Sequence, residues 1–414
     1  MDALHACCCG LDVHKQTVVA CLLRTTAEGR RKELRTCGTM TDDLLALADW
    51  LRAAGCTQVA MASTGVYWKP VCNILEGAGT VLVVNAAHIK AVPGRKTEMK
   101  DAAWIADLLQ HGLLRASFIP DRPQRALRDL TRTRTRLIDA RTAAVNRLRR
   151  VLEDANITRA GAATDSMGVS GRAIRAALLA GTSDPAVLAA LATGKLRAKR
   201  EALTRARSGR VGDHHRLLLT THLAHSDFLD EEVARLSAEV AERLRPLEGE
   251  LARLDTIPGV DRRTAEVLLA ASGADMGRFP TAGHRASWAG MCPGNHERAG
   301  KRKGGKTRKG SKWLRRARTE AARGAARTKQ AGRTAVVDQY RRLVDRRRKL
   351  QAAVAVGHRI LTLAYALLQR GEDYCELAPA DLDERRRAQA RRRAVRQLRQ
   401  LGFEVILTPK EAAA

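Results

Sequence analysis

The chain has 414 residues, 45% of them hydrophobic, which is enough for two to three domains with ordinary cores. Lys and Arg total 74 against 44 Asp and Glu, a formal charge of +30. A solvated surface needs far less, and such an excess repels itself unless a polyanion neutralises it, so DNA or RNA is the expected partner. Nowhere does an apolar run reach the roughly eighteen residues of a bilayer span, and the basic segments lack an aromatic anchor face, so no membrane partner is expected.

Residues 1–7 carry no basic region ahead of an apolar stretch, which predicts no signal peptide. The nine cysteines stand at 7, 8, 9, 21, 37, 56, 72, 292 and 375, an odd number without zinc spacing. They read as reduced, mostly buried thiols of a cytoplasmic protein.

The first stretch alternates strands and helices. Residues 8–23 form a β-rich run, and 31–39 returns beside it as a hairpin partner. Thr41, followed by Asp42 and Asp43, opens a helix with leucines at 44, 45, 47 and 51. Residues 58–63 and 80–85 read as short strands, and 68–76 as a helix closed by Gly77 and Gly79. After Pro93-Gly94 a helix runs from about 98 to 114, which completes an α/β layered pattern.

Pro120 and Pro123 punctuate the chain before a long helix, about 124 to 155. Leu127, Leu130, Leu137, Ala144, Leu148 and Val151 recur near the heptad interval, which suits an antiparallel hairpin arm or a dimerising coiled coil. Residues 156–250 are helical, broken at Gly181 and 209–212. A new unit starts near 251. Ile257-Pro-Gly-Val260 resembles a helix-hairpin-helix turn, which holds a phosphate on backbone N–H groups or serves as a plain hairpin. The loop 297–311 is dense in Lys, Arg and Gly, and helices of about 311–330 and 334–370 follow, then a basic tail from 381.

In so basic a chain, acids in apolar surroundings stand out. Asp12 lies mid-strand, where a carboxylate is costly unless it is paired or holds a metal. Glu98 and Asp101 are three apart and share one helix face. Brought together, the three make a hard oxygen site for Mg²⁺ or Mn²⁺, with the power to activate a hydroxyl and stabilise a leaving oxygen. Equally, Glu98 and Asp101 suit a helix's first turn by complementing its dipole. His214, His215, His222 and His225 raise zinc, but no Cys accompanies them, and polar or RNA contacts fit better.

Several motifs then occur in order: Gly10-Leu-Asp-Val-His-Lys15, Ser63-Thr-Gly-Val-Tyr-Trp68, the stretch 92–102, Ala163-Thr-Asp-Ser-Met-Gly-Val-Ser-Gly-Arg172, Gly212-Asp-His-His215, Cys292-Pro-Gly-Asn-His-Glu297 and Ala353-Val-Ala-Val-Gly-His-Arg359. From about 8 to 371 the chain resembles the DEDD transposases of the insertion-sequence family numbered one hundred and ten, the bridge-RNA-guided recombinases. The resemblance implies an α/β N-terminal domain (RNase H-like, RuvC-like) over 1–120 and a helical coiled-coil arm over 121–250. A mainly α C-terminal domain over 251–372 and a basic tail over 373–414 follow. It implies four metal-binding acids, a nucleophilic serine, a structured guide RNA that selects DNA, and a homo-oligomer, dimer or tetramer.

Asp12 and Asp101 match the first and last acids, and Glu98 stands where the family has Asp. The second acid, a Glu, is replaced by Ala62, and the nucleophilic serine by Arg298. Arg298 has no hydroxyl to attack phosphorus. With Lys301, Arg302, Lys303, Lys306, Arg308, Lys309 and Lys312 it forms a candidate nucleic-acid-binding stretch. Three readings follow: an active transposase, with Ser311 as a substitute nucleophile; a transposase-derived DNA- or RNA-binding protein without catalysis; or a Mg²⁺-dependent junction resolvase, which Ala62 disfavours.

Overall fold

The computed structural model describes residues 3–27, 29–62, 65–91, 101–157, 168–206, 209–292, 294, 296–304, 307, 310–327, 334–346, 348–376 and 379–406. They fall into two compact units, Met1–Ile119 and Pro120–Ala414.

The first unit is a mixed sheet with helices on both faces. Its strands are β1 (Cys7–Val13), β2 (Thr17–Thr26), β3 (Gly29–Gly38), β4 (Gln58–Ala62) and β5 (Thr80–Val84), in the order β3-β2-β1-β4-β5. β1, β2 and β3 pair antiparallel, whereas β4 and β5 run parallel to β1. Its helices are α1 (Thr41–Ala53), α2 (Trp68–Leu75), α3 (Ala86–Ala91) and α4 (Asp101–Gln110). The single run expected over 8–23 is two strands, because the polar His14, Lys15 and Gln16 turn the chain, with the His14 N–H bonded to the Thr17 carbonyl. β3 carries Arg30, Arg31, Lys32 and Arg35 on an exposed edge, where charge discourages a further strand from pairing.

Strand alternation divides the core. Cys9, Leu11 and Val13 of β1 face a cluster with Leu44, Leu47 and Leu51 of α1 and Val71 and Leu75 of α2. Cys8 faces the opposite cluster, built from α4 residues Ala102, Ala103, Ile105, Ala106 and Leu109. α4 stops at Gln110, short of the expected 114, and 92–100, with Glu98, lie outside the described residues.

The second unit is mostly helical. α5 (Arg122–Asp154) takes Pro123 in its first turn, where a missing N–H costs nothing, and Asp121 caps it. α6 (Val169–Leu179), α7 (Pro185–Ala190) and α8 (Arg200–Ala206) lead to α9 (Asp213–Leu244). α5 and α9 pack antiparallel: Asp154 meets His215, Arg141 meets Asp230, and Leu127 shares a cluster with Val240 and Leu244. This is an intrachain helix pair.

The chain continues through α10 (Glu248–Asp255), α11 (Arg262–Ser272), α12 (Ala282–Trp288), the hairpin β6 (His296–Arg298) and β7 (Lys301–Gly304), α13 (Lys312–Arg327), α14 (Ala335–Val344), α15 (Lys349–Arg370) and α16 (Pro379–Gln400). The single helix expected over 334–370 is therefore two, α14 ending at Val344 and α15 starting at Lys349. α15 is long and apolar enough to cross a bilayer, against the sequence expectation. Its Ala353, Val356, Ile360, Leu361 and Ala364 are instead the centre of this unit's core. All nine cysteines are free, and six are pushed above the ordinary thiol range, chiefly by burial.

Candidate functional site

The first site is built on the contact between β1 and α4. A Cβ on Gly10 would lie 2.3 Å from the Ala102 carbonyl oxygen and 2.3 Å from the Ala106 nitrogen, so only glycine lets the helix approach this closely. The two elements run in opposite directions. The Leu4 N–H bonds to the Gln110 carbonyl, the Cys8 thiol reaches the Ala106 carbonyl, and Gly10 sits against Ala102. Two residues beyond Gly10 on the same face is Asp12, and the N-terminus of α4 is Asp101. Chain direction therefore brings both acids to one end of this contact.

Asp12 is one-quarter exposed, and its Oδ2 lies 3.2 Å from Nε2 of the more exposed His14. Across the antiparallel pair stands Val19. On the other side, Leu11 pairs with Met61, so the next step of the register sets Ala62 beside Asp12. Ala62 packs against the α4-side cluster, which is Asp12's face of the sheet. A methyl group thus occupies the neighbouring position where the family resemblance calls for a carboxylate. Asp101 is exposed in the first turn of α4, a favourable place for negative charge.

The candidate basic residues lie in the second unit. Arg298 ends β6 and pairs with Lys301 at the start of β7. The turn between them uses Ala299 and Gly300 at φ of 52° and 71°, the left-handed pair that a two-residue hairpin requires. The loop expected over 297–311 thus opens on a hairpin, whose strands, rich in Lys and Arg, lack the apolar alternation that marks a strand in sequence. The backbones of Arg302 and Lys303 are in β7, Lys301 is exposed, and Lys306, Arg308 and Lys309 lie outside the described residues. Lys312, also exposed, holds its Nζ 4.9 Å from the Trp313 ring centre. It borders a groove of about 460 Å³ with Arg315, Arg316 and Arg323.

At the 257–260 hairpin, a Cβ on Gly259 would lie 2.3 Å from the Ala321 carbonyl oxygen and 2.6 Å from the Ala325 nitrogen. Close packing on α13 accounts for that glycine. Between α5, α11 and α13 lies a pocket of about 470 Å³ whose lining includes Arg134, and the buried Arg134 is ion-paired with Glu266 at 2.6 Å.

Asp154, His214 and His215 bring one ligating atom each within 4.8 Å of one another. His215 Nδ1 accepts the Gly212 N–H at 3.1 Å, which leaves Nε2 protonated to donate to Asp154 Oδ2 at 3.0 Å. A neutral ring bonded this way has no lone pair left for a metal. The group instead ties the start of α9 to the end of α5.

Residues 9–157 match a family profile described as "Transposase", for DEDD transposases of the IS110 type. Residues 251–336 match a second, described as "Transposase IS116/IS110/IS902 family". A protein of Pseudomonas aeruginosa named "Probable family 20 transposase" is 26% identical over 334 residues, which cover 79% of this chain and 88% of the relative.

Proposed function

Because the chain belongs to the IS110 family of transposases, we propose that it acts in insertion-sequence transposition, holding DNA and a structured guide RNA for site-specific strand cleavage and rejoining. What supports this reading is the close β1–α4 contact at Gly10, whose chain directions set Asp12 and Asp101 toward the same end. An RNase H-like, RuvC-like first unit is supported by the sheet order β3-β2-β1-β4-β5 with its antiparallel first three strands. A homo-oligomer is supported by Leu217, Leu218 and Phe228, exposed on α9.

Asp12 and Asp101, with Glu98 as the third acid, are the residues to hold Mg²⁺ or Mn²⁺, and hard carboxylate oxygens suit either ion. Such an ion supplies Lewis-acid polarisation of a phosphodiester oxygen. His14 holds the Asp12 carboxylate from one side, and Asp101 lies in the first turn of α4. Ala62 leaves the set one carboxylate short. Arg298, Lys301, Arg302, Lys303, Lys306, Arg308, Lys309 and Lys312 are to clamp backbone phosphates. DNA affinity should therefore drop by about a thousandfold or more between 50 and 200 mM salt if six or more phosphates are neutralised. Filter binding at a series of salt concentrations reads that slope, and a flat response rules out the electrostatic clamp.

Ala62 and Arg298 favour a second reading, in which binding survives and chemistry is lost. Labelled DNA ends, guide RNA and Mg²⁺ incubated with the chain are expected to give no labelled band at protein mass on a denaturing gel. Ala62→Glu with Arg298→Ser should restore strand exchange, while Arg298→Ser alone should not restore it fully. A labelled band from the unaltered chain would establish a different nucleophile, with Ser311 the first to replace.

A further inference from the structure

The pocket between α5, α11 and α13, at about 470 Å³, is as large as many small-molecule sites. Its lining is apolar at Ile138, Val260, Val267 and Ala317 and aromatic at the half-buried Trp313. Cations attend that ring: the Arg136 guanidinium carbon lies 5.4 Å and the Lys312 Nζ 4.9 Å from its centre. Asp261, Arg263, Glu320 and Gly324, all exposed, open the pocket to solvent. Arg263 has no ion-pair partner among the described residues.

The two carboxylates at this mouth select what enters. Asp261 Oδ1 accepts the Thr264 N–H at 2.9 Å, and Glu320 Oε1 accepts from Arg316 Nε at 2.9 Å. The second oxygen of each takes no hydrogen bond among the described residues. Such oxygens repel a phosphate or an acidic side chain, whereas they accept from the exocyclic amino group of a base. An aromatic ring is what the flat face of a base stacks on. Phosphates have a separate place. Arg316 and Glu320 also line the groove of about 460 Å³ on the same helix, together with Lys312, Arg315 and Arg323. α13 thus turns a cationic groove and an aromatic pocket to adjoining faces, and Arg316 and Glu320 form the edge they share.

We propose that this pocket takes one base of a bound single strand, turned out of its stack, while the groove holds the neighbouring phosphates. The base stacks on Trp313 and offers its amino group to Asp261 and Glu320. The inference rests on the reading that the chain binds nucleic acid, and it names the unit of the strand that the helical half receives.

The test is fluorescence anisotropy with two labelled strands of equal length, one of deoxycytidine and one abasic with the same phosphates. The full chain is titrated alongside Gly324→Leu, Trp313→Ala and Trp313→Phe at one low salt concentration. The parent should bind the deoxycytidine strand about tenfold tighter than the abasic one, the magnitude that one base on an aromatic ring gives. A Cβ on Gly324 meets only the Gly259 carbonyl oxygen, at 3.6 Å, so leucine there obstructs the mouth without a backbone clash. That variant should bring the ratio close to one. Trp313→Ala should lower it as far, and Trp313→Phe should keep most of it. A parent that binds both strands equally overturns the pocket and leaves nucleic-acid binding in place. So does a Gly324→Leu or Trp313→Ala chain that keeps the ratio, even with weaker binding to both strands. A parent that binds neither strand overturns the nucleic-acid reading as well.

Discussion

Glu266→Leu is expected to destabilise the second unit by about 3–5 kcal/mol, the largest single effect that the ion pairs of this chain predict. Glu266 of α11 is 4% exposed and Arg134 of α5 is 2% exposed, and their Oε2 and Nη2 atoms are 2.6 Å apart. Arg262 approaches the other carboxylate oxygen at 3.5 Å from a half-exposed position, so Arg134 is the partner without water to fall back on. Removing the acid strands a guanidinium in the interior, and that penalty exceeds what the pair itself contributes. Thermal unfolding should show it as a fall of roughly 6–20 °C. The double variant Arg134→Met/Glu266→Leu should recover most of the loss, since replacing both charges with apolar groups of similar size is often neutral. If the double variant melts as low as the single one, the pair is not what joins α5 to α11.

The second large effect is expected at Gly10. Gly10→Val puts atoms against the Ala102 carbonyl and the Ala106 nitrogen, both backbone, and no rotamer change can relieve that overlap. α4 must move off the sheet, at a cost of about 3 kcal/mol or more. The same shift carries Asp101 away from Asp12. The variant should therefore lose Mn²⁺ binding, read by titration calorimetry, under conditions where circular dichroism still reports a folded first unit. Retained Mn²⁺ affinity in a folded Gly10→Val chain would separate the acids from the β1–α4 contact.

Much of this was legible in the sequence, for physical reasons that differ by element. Leu11 and Val13 alternate with Asp12, so the face of the acid followed from the period of a strand, and α1 announced itself by its spaced leucines. Ala62 could be set next to Asp12 because two parallel strands share register. The family motifs supplied the roles, which spacing alone left open between a metal site and a favourable first turn. The hairpin at 296–304 was missed because its strands are held by a turn rather than by apolar alternation. The break between α14 and α15 hides beside Asp345 and Arg346, residues that a helix accepts as readily as a turn. The buried Arg134 was illegible for a deeper reason: among 74 basic residues, composition cannot single out one that folds inward. His14 as the partner of Asp12 was in plain view, two residues away on a motif already noted, and same-face spacing would have found it.

The two units also have separate cores. Every side chain in the clusters on either side of the five-stranded sheet comes from the first 119 residues, and the clusters of the helical unit start at Leu127. On a ribosome this sets an order of events. The central strand β1 emerges first and needs β4, β5 and α4, all of which follow before residue 111. Synthesis of 120–414 then takes roughly 15–60 s at usual bacterial-to-eukaryotic elongation rates, ample time for the sheet to close. The nascent protein thus completes its carboxylate-bearing half while the polycationic remainder is still being made. A premature stop anywhere past the arm would release a folded sheet domain rather than an unfolded fragment.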